Sequence, residues 1–389
     1  MNELHQVSVL QKALTRIHAA LSHHLTARIW RHRGLTARLL YPLSLLTGLL
    51  RRFQRMRYRR GLSQPKRLPV PVVVVGNLYA GGTGKTPLVM ALATALRERG
   101  FHPGVISRGY GARGREARLV DPESSAQDVG DEPLLIAQKL GIAVAIGRDR
   151  HAAGTLLLSA YPSCDVILCD DGLQHQRLAR DLELALIHSL GLGNGWLLPA
   201  GPLRDNPDRL KEVDAVVFHG DHQDIPVTRV YSPFFRMRTQ PGEVYALQDP
   251  QRRIRLGELA SEQARSGTRL IAAAGIGLPE RFFASLRAAG LEIDTIALPD
   301  HARFEQNPFA NKTFDCALIT EKDAVKCRKH PAMAADGRIC VVSQSTWLEP
   351  ALVDFVIARL QRCTNQATDH GLSTPRHTGV PTDQRAPAL

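Results

Sequence analysis

Three things are scarce in this chain, and each scarcity excludes a class of protein. The six cysteines (Cys164, Cys169, Cys316, Cys327, Cys340 and Cys363) form no CxxC pair and no Cys/His cluster with zinc spacing. They read as reduced core thiols of a cytosolic protein rather than a disulfide framework or a zinc module. Long apolar runs are missing too. The longest, residues 39–50 (LLYPLSLLTGLL), is interrupted by Pro42 and Gly48 and is shorter than the about 20 residues a bilayer crossing needs. It starts too far from Met1, with no small-residue cleavage site after it, to read as a secretory signal. Acids are the third scarcity. Residues 1–67 hold 14 Lys/Arg and one acid, Glu3, so the net charge of +13 belongs to that segment and the remainder is balanced. No internal repeat is visible.

The basic segment is amphipathic and arginine-flanked. Trp30, Tyr41, Phe53 and Tyr58 suit a membrane interface, and the arginines suit anionic headgroups. A helix packed on the body and a nucleic-acid arm are the other readings; large aliphatics among the arginines weigh against the arm. At 389 residues the chain has room for two domains with sizeable cores. Strand-like and helix-like segments alternate along most of it, which argues α/β.

The most informative stretch is residues 72–88, VVVVGNLYAGGTGKTPL. Four valines read as a strand buried on both faces, and helical apolar spacing runs over residues 88–100. Strand, glycine turn, Lys-Thr and helix make a phosphate-binding loop. Glycines let backbone N–H groups converge on phosphate oxygens, and the helix N-terminus adds positive potential. Lys85 would reach the β/γ-phosphates and the Thr86 hydroxyl would ligate Mg²⁺. The nucleotide-binding candidates are Tyr79, Ala80, Gly81, Gly82, Thr83, Gly84, Lys85 and Thr86. The strict pattern places glycine where Tyr79 stands here.

Downstream, PGVIS at 103–107 reads as a strand with Arg108 at its carboxyl end, where open α/β sheets bind ligands. Residues 112–129 are polar and read as mostly irregular. A helix opens at Asp131-Glu132-Pro133, where the acids suit either capping and dipole pairing or chemistry. The strand at 164–169 ends in Asp170-Asp171-Gly172-Leu173-Gln174-His175. An apolar strand ending in aspartate after a phosphate loop holds Mg²⁺ directly or through water, so Asp170 and Asp171 are metal candidates; the alternative is a turn. Strands follow at 182–187 and 215–218, separated by a rigid loop, PAGPLR, that presents Arg204. Residues 219–268 are polar and hold the domain junction. A second α/β unit follows, with strands at 269–274, 293–298, 315–319 and 337–342 and a last helix at 350–361. The tail, 364–389, has the composition of a disordered segment.

Several motifs in order resemble one family, the tetraacyldisaccharide 4'-kinases, also called lipid A 4'-kinases. They are VGNL with GGTGKTP, SRGYG at 107–111, VGDEP at 129–133, DDGLQH at 170–175, PAGPLR at 199–204, AAGIGLPERFF at 273–283, PDHARF at 299–304 and TEKDAVK at 320–326. The resemblance covers residues 30–362, and the basic start with YPLS at 41–44 also fits it. It implies ATP-dependent phosphorylation of the 4'-hydroxyl of a tetraacylated glucosamine disaccharide 1-phosphate. The place implied is the cytoplasmic face of the inner membrane of Gram-negative bacteria, in peripheral association. The fold implied is two α/β/α lobes, the first a P-loop NTPase-type parallel sheet, with the active site between them and an amphipathic membrane-associated helical segment before them. The expected organisation is residues 1–67 for that segment, 68–225 and 226–363 for the lobes, and 364–389 for the tail.

By the same resemblance, Lys85 neutralises the transferred phosphoryl group and Asp131 takes the proton from the sugar hydroxyl. His301 orients and tunes that carboxylate. Glu132, Gln174, His175 and Arg204 are candidates for substrate contacts or supporting groups; Arg204 suits a phosphate. No nucleic acid and no obligate protein partner is expected. A peripheral membrane NTPase acting as a switch is the reading from another class. It shares the phosphate loop and basic segment but has no need of a second unit with its own glycine turn and His-bearing loop. A nucleic-acid-dependent ATPase is a third, marked by steeply salt-dependent binding.

Overall fold

The computed structural model describes residues 29–220, 232–300, 302, 304 and 306–369. Four valines in succession leave a strand no polar face, and β1 (Val72–Asn77) is buried along its whole length. Val73 and Val75 pack with Leu88 and Leu92 of helix 85–98 on one side. Val72 and Val74 pack with Ala153 and Leu157 of helix 150–160 on the other. Alternate side chains of one strand thus feed two cores, as a covered parallel sheet requires.

β1 lies between two parallel neighbours, β5 (Val166–Asp170) and β6 (Leu182–His188). Outward from β5 the sheet continues through β2 (Pro103–Ser107) and β4 (Val144–Ile146) to a short antiparallel edge, β3 (Arg118–Leu119). Outward from β6 it continues through β7 (Ala215–His219) to β8 (Phe234–Ala246). The second half is built on β10 (Leu270–Ala274), parallel to β11 (Ile293–Ala297) and β12 (Cys316–Thr320). β13 (Ile339–Leu348) pairs parallel with β12 and antiparallel with β8, and β9 (Arg253–Arg255) flanks β8. The expected α/β class with a parallel P-loop-type sheet is therefore observed, and both halves belong to one sheet.

Helices surround it: α1 (Leu35–Arg59), α2 (Lys85–Glu98), α3 (Ala126–Val129), α4 (Asp131–Leu140), α5 (Arg150–Ala160), α6 (Leu256–Ser266), α7 (Pro279–Ala288), α8 (Glu321–Cys327), α9 (Pro331–Ala334) and α10 (Pro350–Asp369), with a 3₁₀ turn at Pro207–Lys211.

The joining strand is the main feature absent from the sequence expectation. β8 runs FFRMRTQPGEVYA, with Pro241, Gly242 and charges that hide a strand pattern. Its first residues pair with β7 and its remainder with β13. The partner carries β13 to Leu348, beyond the expected end at 342. The expected boundary at 225/226 lies outside the described residues. β4 and α5 also have no counterpart in the expectation, and α3 and β3 fall in the stretch read as irregular. α10 continues to Asp369, which corrects a tail beginning at 364: no glycine or proline interrupts residues 364–369. The rest of that tail lies outside the described residues.

α1 continues through Pro42 and Gly48 rather than breaking there. One face is seated on the body. Ala37 and Ser44 are its buried residues, and a Cβ on Gly48 would stand 3.1 Å from Leu197. Ser44 Oγ donates to Leu197 O at 2.7 Å and accepts from Ala200 N at 3.0 Å. Arg55 pairs with Asp205 at 2.5 Å, and Arg59 with Glu212 at 2.6 Å. The other face leaves Leu35, Leu39, Leu43, Leu46, Leu49, Leu50 and Phe53 exposed. Among the described residues no helix is long and apolar enough to cross a membrane. All six cysteines are free thiols.

Candidate active site

The phosphate loop follows the carboxyl end of β1. Gly81 and Gly84 take φ of 117° and 101°, backbone that glycine adopts without strain. α2 begins at Lys85, a turn before the apolar periodicity, and Pro87 sits in its first turn, where the N–H groups have no intrahelical acceptor. Inside the loop, Asn77 Nδ2 donates to Thr83 Oγ1 at 2.6 Å, and Lys85 Nζ approaches Asn77 Oδ1 at 3.4 Å. Tyr79 and Ala80 do not line the cleft. The Tyr79 ring meets Trp30 and His188 edge-on, and Ala80 N donates to Pro202 O at 2.8 Å.

A residue not anticipated from sequence supports this loop. His219, the last residue of β7, donates through Nδ1 to Thr83 O at 2.9 Å, because a carbonyl can only accept. Nε2 then accepts from Thr239 Oγ1 at 2.7 Å. Burial pushes the imidazole pKa down, which fits this neutral tautomer. A Cβ on Gly84 would lie 2.6 Å from His219 Nδ1, so ring and loop fit without spare space. The sequence signal was its place at the carboxyl end of an apolar strand.

β5 delivers the two aspartates. Asp170 is 1% exposed, and Thr86 Oγ1 is 3.4 Å from its Oδ2. Burial, with Glu132 nearby, pushes its carboxyl up to about 7, although Lys85 opposes this. Its Oδ1 is buried with no hydrogen-bond partner. A buried carboxylate oxygen beside a hydroxyl and a phosphate loop fits a magnesium ion, which takes one or two carboxylates plus phosphate oxygens. Among the described residues no group of three His, Cys, Asp or Glu side chains could hold a metal alone, so the nucleotide would have to complete the shell.

Asp171 adopts φ 50°. Burial acts to raise its pKa, but Lys85 and Arg204 outweigh that and hold it low. Arg204 Nη1 reaches both of its oxygens at 2.8 Å, and Lys85 Nζ stands 3.6 Å away. The PAGPLR loop is itself held in place, since Arg204 N donates to Leu78 O at 2.6 Å. Arg204 therefore meets the Asp171 carboxylate in this structure.

These groups open onto a cleft of about 1140 Å³ between the two halves of the sheet. Lys85, Thr86, Glu132, Asp170, Asp171, Gln174, His175 and Arg204 all line it, with Gly277, Asp300 and Lys322 from the second half. Gln174 Nε2 donates to Asn77 O at 2.9 Å. Burial, with Arg150 and Arg180 nearby, pushes the His175 imidazole down to about 4, so it is neutral at pH 7. Asp131 stands behind Glu132, with Lys326 Nζ 3.1 Å from its Oδ2. His301 lies outside the described residues.

A strand–glycine loop–helix unit, a Lys-Thr pair and a strand-end aspartate define a P-loop protein that handles a nucleoside triphosphate. The family model for tetraacyldisaccharide-1-P 4'-kinase matches residues 36–361. Over 337 residues the chain is 48% identical to the tetraacyldisaccharide 4'-kinase of Herminiimonas arsenicoxydans, covering 86% of this chain and 94% of that one. Its counterpart in Janthinobacterium sp. (strain Marseille) is 47% identical over 332 residues, covering 85% and 94%. Among solved structures, the "apo" form LpxK from Aquifex aeolicus in complex with ATP matches with a TM-score of 0.70 and 27% identity. That match covers 84% of this chain and 100% of the other. The chain belongs to the tetraacyldisaccharide 4'-kinase family.

The hydrogen bonds of His219 generate a prediction. His219→Ala removes the bond to Thr83 O and leaves space beside Gly84. ATP affinity, followed by titration calorimetry, is expected to fall about tenfold, the size of one lost buried hydrogen bond. Unchanged affinity in a folded variant would show that the loop needs no such support.

Proposed function

We propose that this chain transfers the γ-phosphoryl group of ATP to the 4'-hydroxyl of a tetraacylated glucosamine disaccharide 1-phosphate at a membrane surface. The observation that carries this reading is that the phosphate loop, the unpartnered Asp170 oxygen and Glu132 line one cleft, with Asp131 next in the chain to Glu132. Residues 68–225 and 226–363 act as two lobes around that cleft.

Lys85 binds the transferred phosphoryl oxygens, and the N–H groups at the start of α2 bind the others. Thr86 and Asp170 would hold magnesium, with Asp171 ordering its water. When bound, the ion supplies charge neutralisation on the phosphate oxygens. Asp131 accepts the proton of the attacking hydroxyl, and His301 orients that carboxylate. Glu132 and Arg204 shape the floor of the cleft. His175 and Gln174 offer neutral polar contacts to the sugar.

The test is mass analysis of the disaccharide 1-phosphate lipid after incubation with Mg-ATP, which should yield a product heavier by one phosphate. Lys85→Ala should lower turnover by about two orders of magnitude or more. Asp131→Asn should lower single-turnover transfer by about 10²–10⁴-fold while ATP binding survives. ATP hydrolysis with no phosphorylated lipid would instead support a switch-type NTPase.

α1 supplies the membrane contact in this reading. Its exposed leucines insert among acyl chains, and Arg38, Arg52 and Arg60 face anionic headgroups, at the cytoplasmic face of the inner membrane. Replacing Leu39, Leu46 and Leu50 together by Ser should weaken binding to phosphatidylglycerol vesicles about a thousandfold or more, since each leucine side chain contributes about 1.5–3 kcal/mol when fully buried. Vesicle co-sedimentation equal to wild type would place the contact elsewhere.

A further inference from the structure

The TEKDAVK motif has no role in the chemistry described so far, yet it brings Lys322 to the lining of the cleft and Lys326 to Asp131 beside it. We propose that Lys326 is the positioning residue for Asp131, seating its carboxylate from the second half of the sheet. The proposal rests on the reading of Asp131 as the proton acceptor.

Lys322 and Lys326 are four residues apart on α8 and so share one face. They meet two consecutive carboxylates at the start of α4. Lys326 Nζ lies 3.1 Å from Asp131 Oδ2, and Lys322 Nζ lies 3.1 Å from Glu132 Oε1. The partners are more than 180 residues apart in the chain. The Lys326 and Asp131 side chains are 7% and 12% exposed. An ammonium that buried persists only where partners are provided.

The provision here is elaborate for a simple tether. Asp323 is fully buried, and its Oδ1 stands 3.7 Å from Lys326 Nζ. Asp323 Oδ2 is occupied by Thr320 Oγ1 at 2.7 Å and Gly275 N at 3.0 Å. A Cβ on Gly275 would come within 2.9 Å of Asp323 Oδ1, so the AAGIG turn closes tightly around this carboxylate. On another side, the Phe304 ring centroid is 5.5 Å from Lys326 Nζ, within cation–π range. Phe304 holds φ 53°, a costly conformation for a bulky residue. Such strain persists where the surroundings over-determine it, and it gathers at functional sites. Three motifs, VGDEP, PDHARF and TEKDAVK, thus meet at one ammonium, and AAGIG braces the Asp323 carboxylate beside it.

A third ion pair between the same helices provides the contrast. Lys139 at the far end of α4 joins Glu321 at 2.7 Å. It links the halves without touching Asp131. A role that is only structural would make the two lysines equivalent; positioning makes them different.

The experiment compares Lys326→Met, Lys326→Gln, Lys326→Arg and Lys139→Met in the full chain. Single-turnover phosphoryl transfer, ATP affinity and melting temperature are read together. Lys326→Met and Lys326→Gln should each slow transfer about 30-fold or more with ATP affinity within about twofold of wild type. Lys326→Arg keeps the charge and should recover most of the rate. Lys139→Met should transfer at close to the wild-type rate. Adding Lys326→Gln to Asp131→Asn should cost little beyond Asp131→Asn alone, because residues acting as a unit are non-additive. A wild-type transfer rate in folded Lys326→Gln, or fully additive losses in the double variant, would overturn the positioning role. An active Asp131→Asn would instead remove the proton-acceptor reading on which it rests.

Discussion

A carboxylate at the end of a buried strand is the constraint that the rest of this structure answers. Asp170 loses its water when β5 takes its place beside β1, and one of its oxygens finds no donor within the protein. Ionising such a group costs several kcal/mol unless a cation or donors are supplied. Lys85 and Thr86 supply part of the compensation from the phosphate loop. Arg204 is drawn to the neighbouring Asp171 instead, so the two aspartates are held in different electrostatic states. A pair of adjacent carboxylates pushed apart in this way can divide the work of direct and water-mediated metal contact.

The surrounding architecture ties that arrangement to α1 and to the second half of the sheet. The PAGPLR loop hydrogen-bonds to the phosphate loop through Leu78 and Ala80 and to α1 through Ser44. The face of α1 that packs is small and polar, and the face that remains is large and apolar. β8 begins in the first half of the sheet and ends in the second. Its Thr239 bonds to His219, which in turn holds the phosphate loop. The nucleotide end of the cleft and the strand that joins the halves are therefore one hydrogen-bonded unit.

Much of this was legible in the residues. The valine run, the glycine loop and the apolar strand ending in aspartates carry strong local signals, and the structure places Lys85, Thr86, Asp170 and Asp171 together as expected. The resemblance to a family picked out Asp131 and Glu132 in what otherwise read as a helix cap, and of the two Glu132 lines the cleft. What escaped was set by partners distant in sequence. β8 carries Pro241, Gly242 and several charges, and it is a strand because β7 and β13 offer it hydrogen bonds. His219 and Lys326 look like a strand-end histidine and a helix-end lysine until Thr83 and Asp131 are brought beside them. The face of α1 turned to the body is likewise defined by Leu197 and Ala200, more than 150 residues away.

The central claim is that Asp170 is built to face a cation brought with the nucleotide. It is tested most directly by calorimetric titration of ATP with and without magnesium, for the wild type and for Asp170→Asn. The account predicts that magnesium tightens ATP binding to the wild type and loses most of that effect in Asp170→Asn, while metal-free ATP binds both alike. An equal gain from magnesium in the two proteins would contradict it.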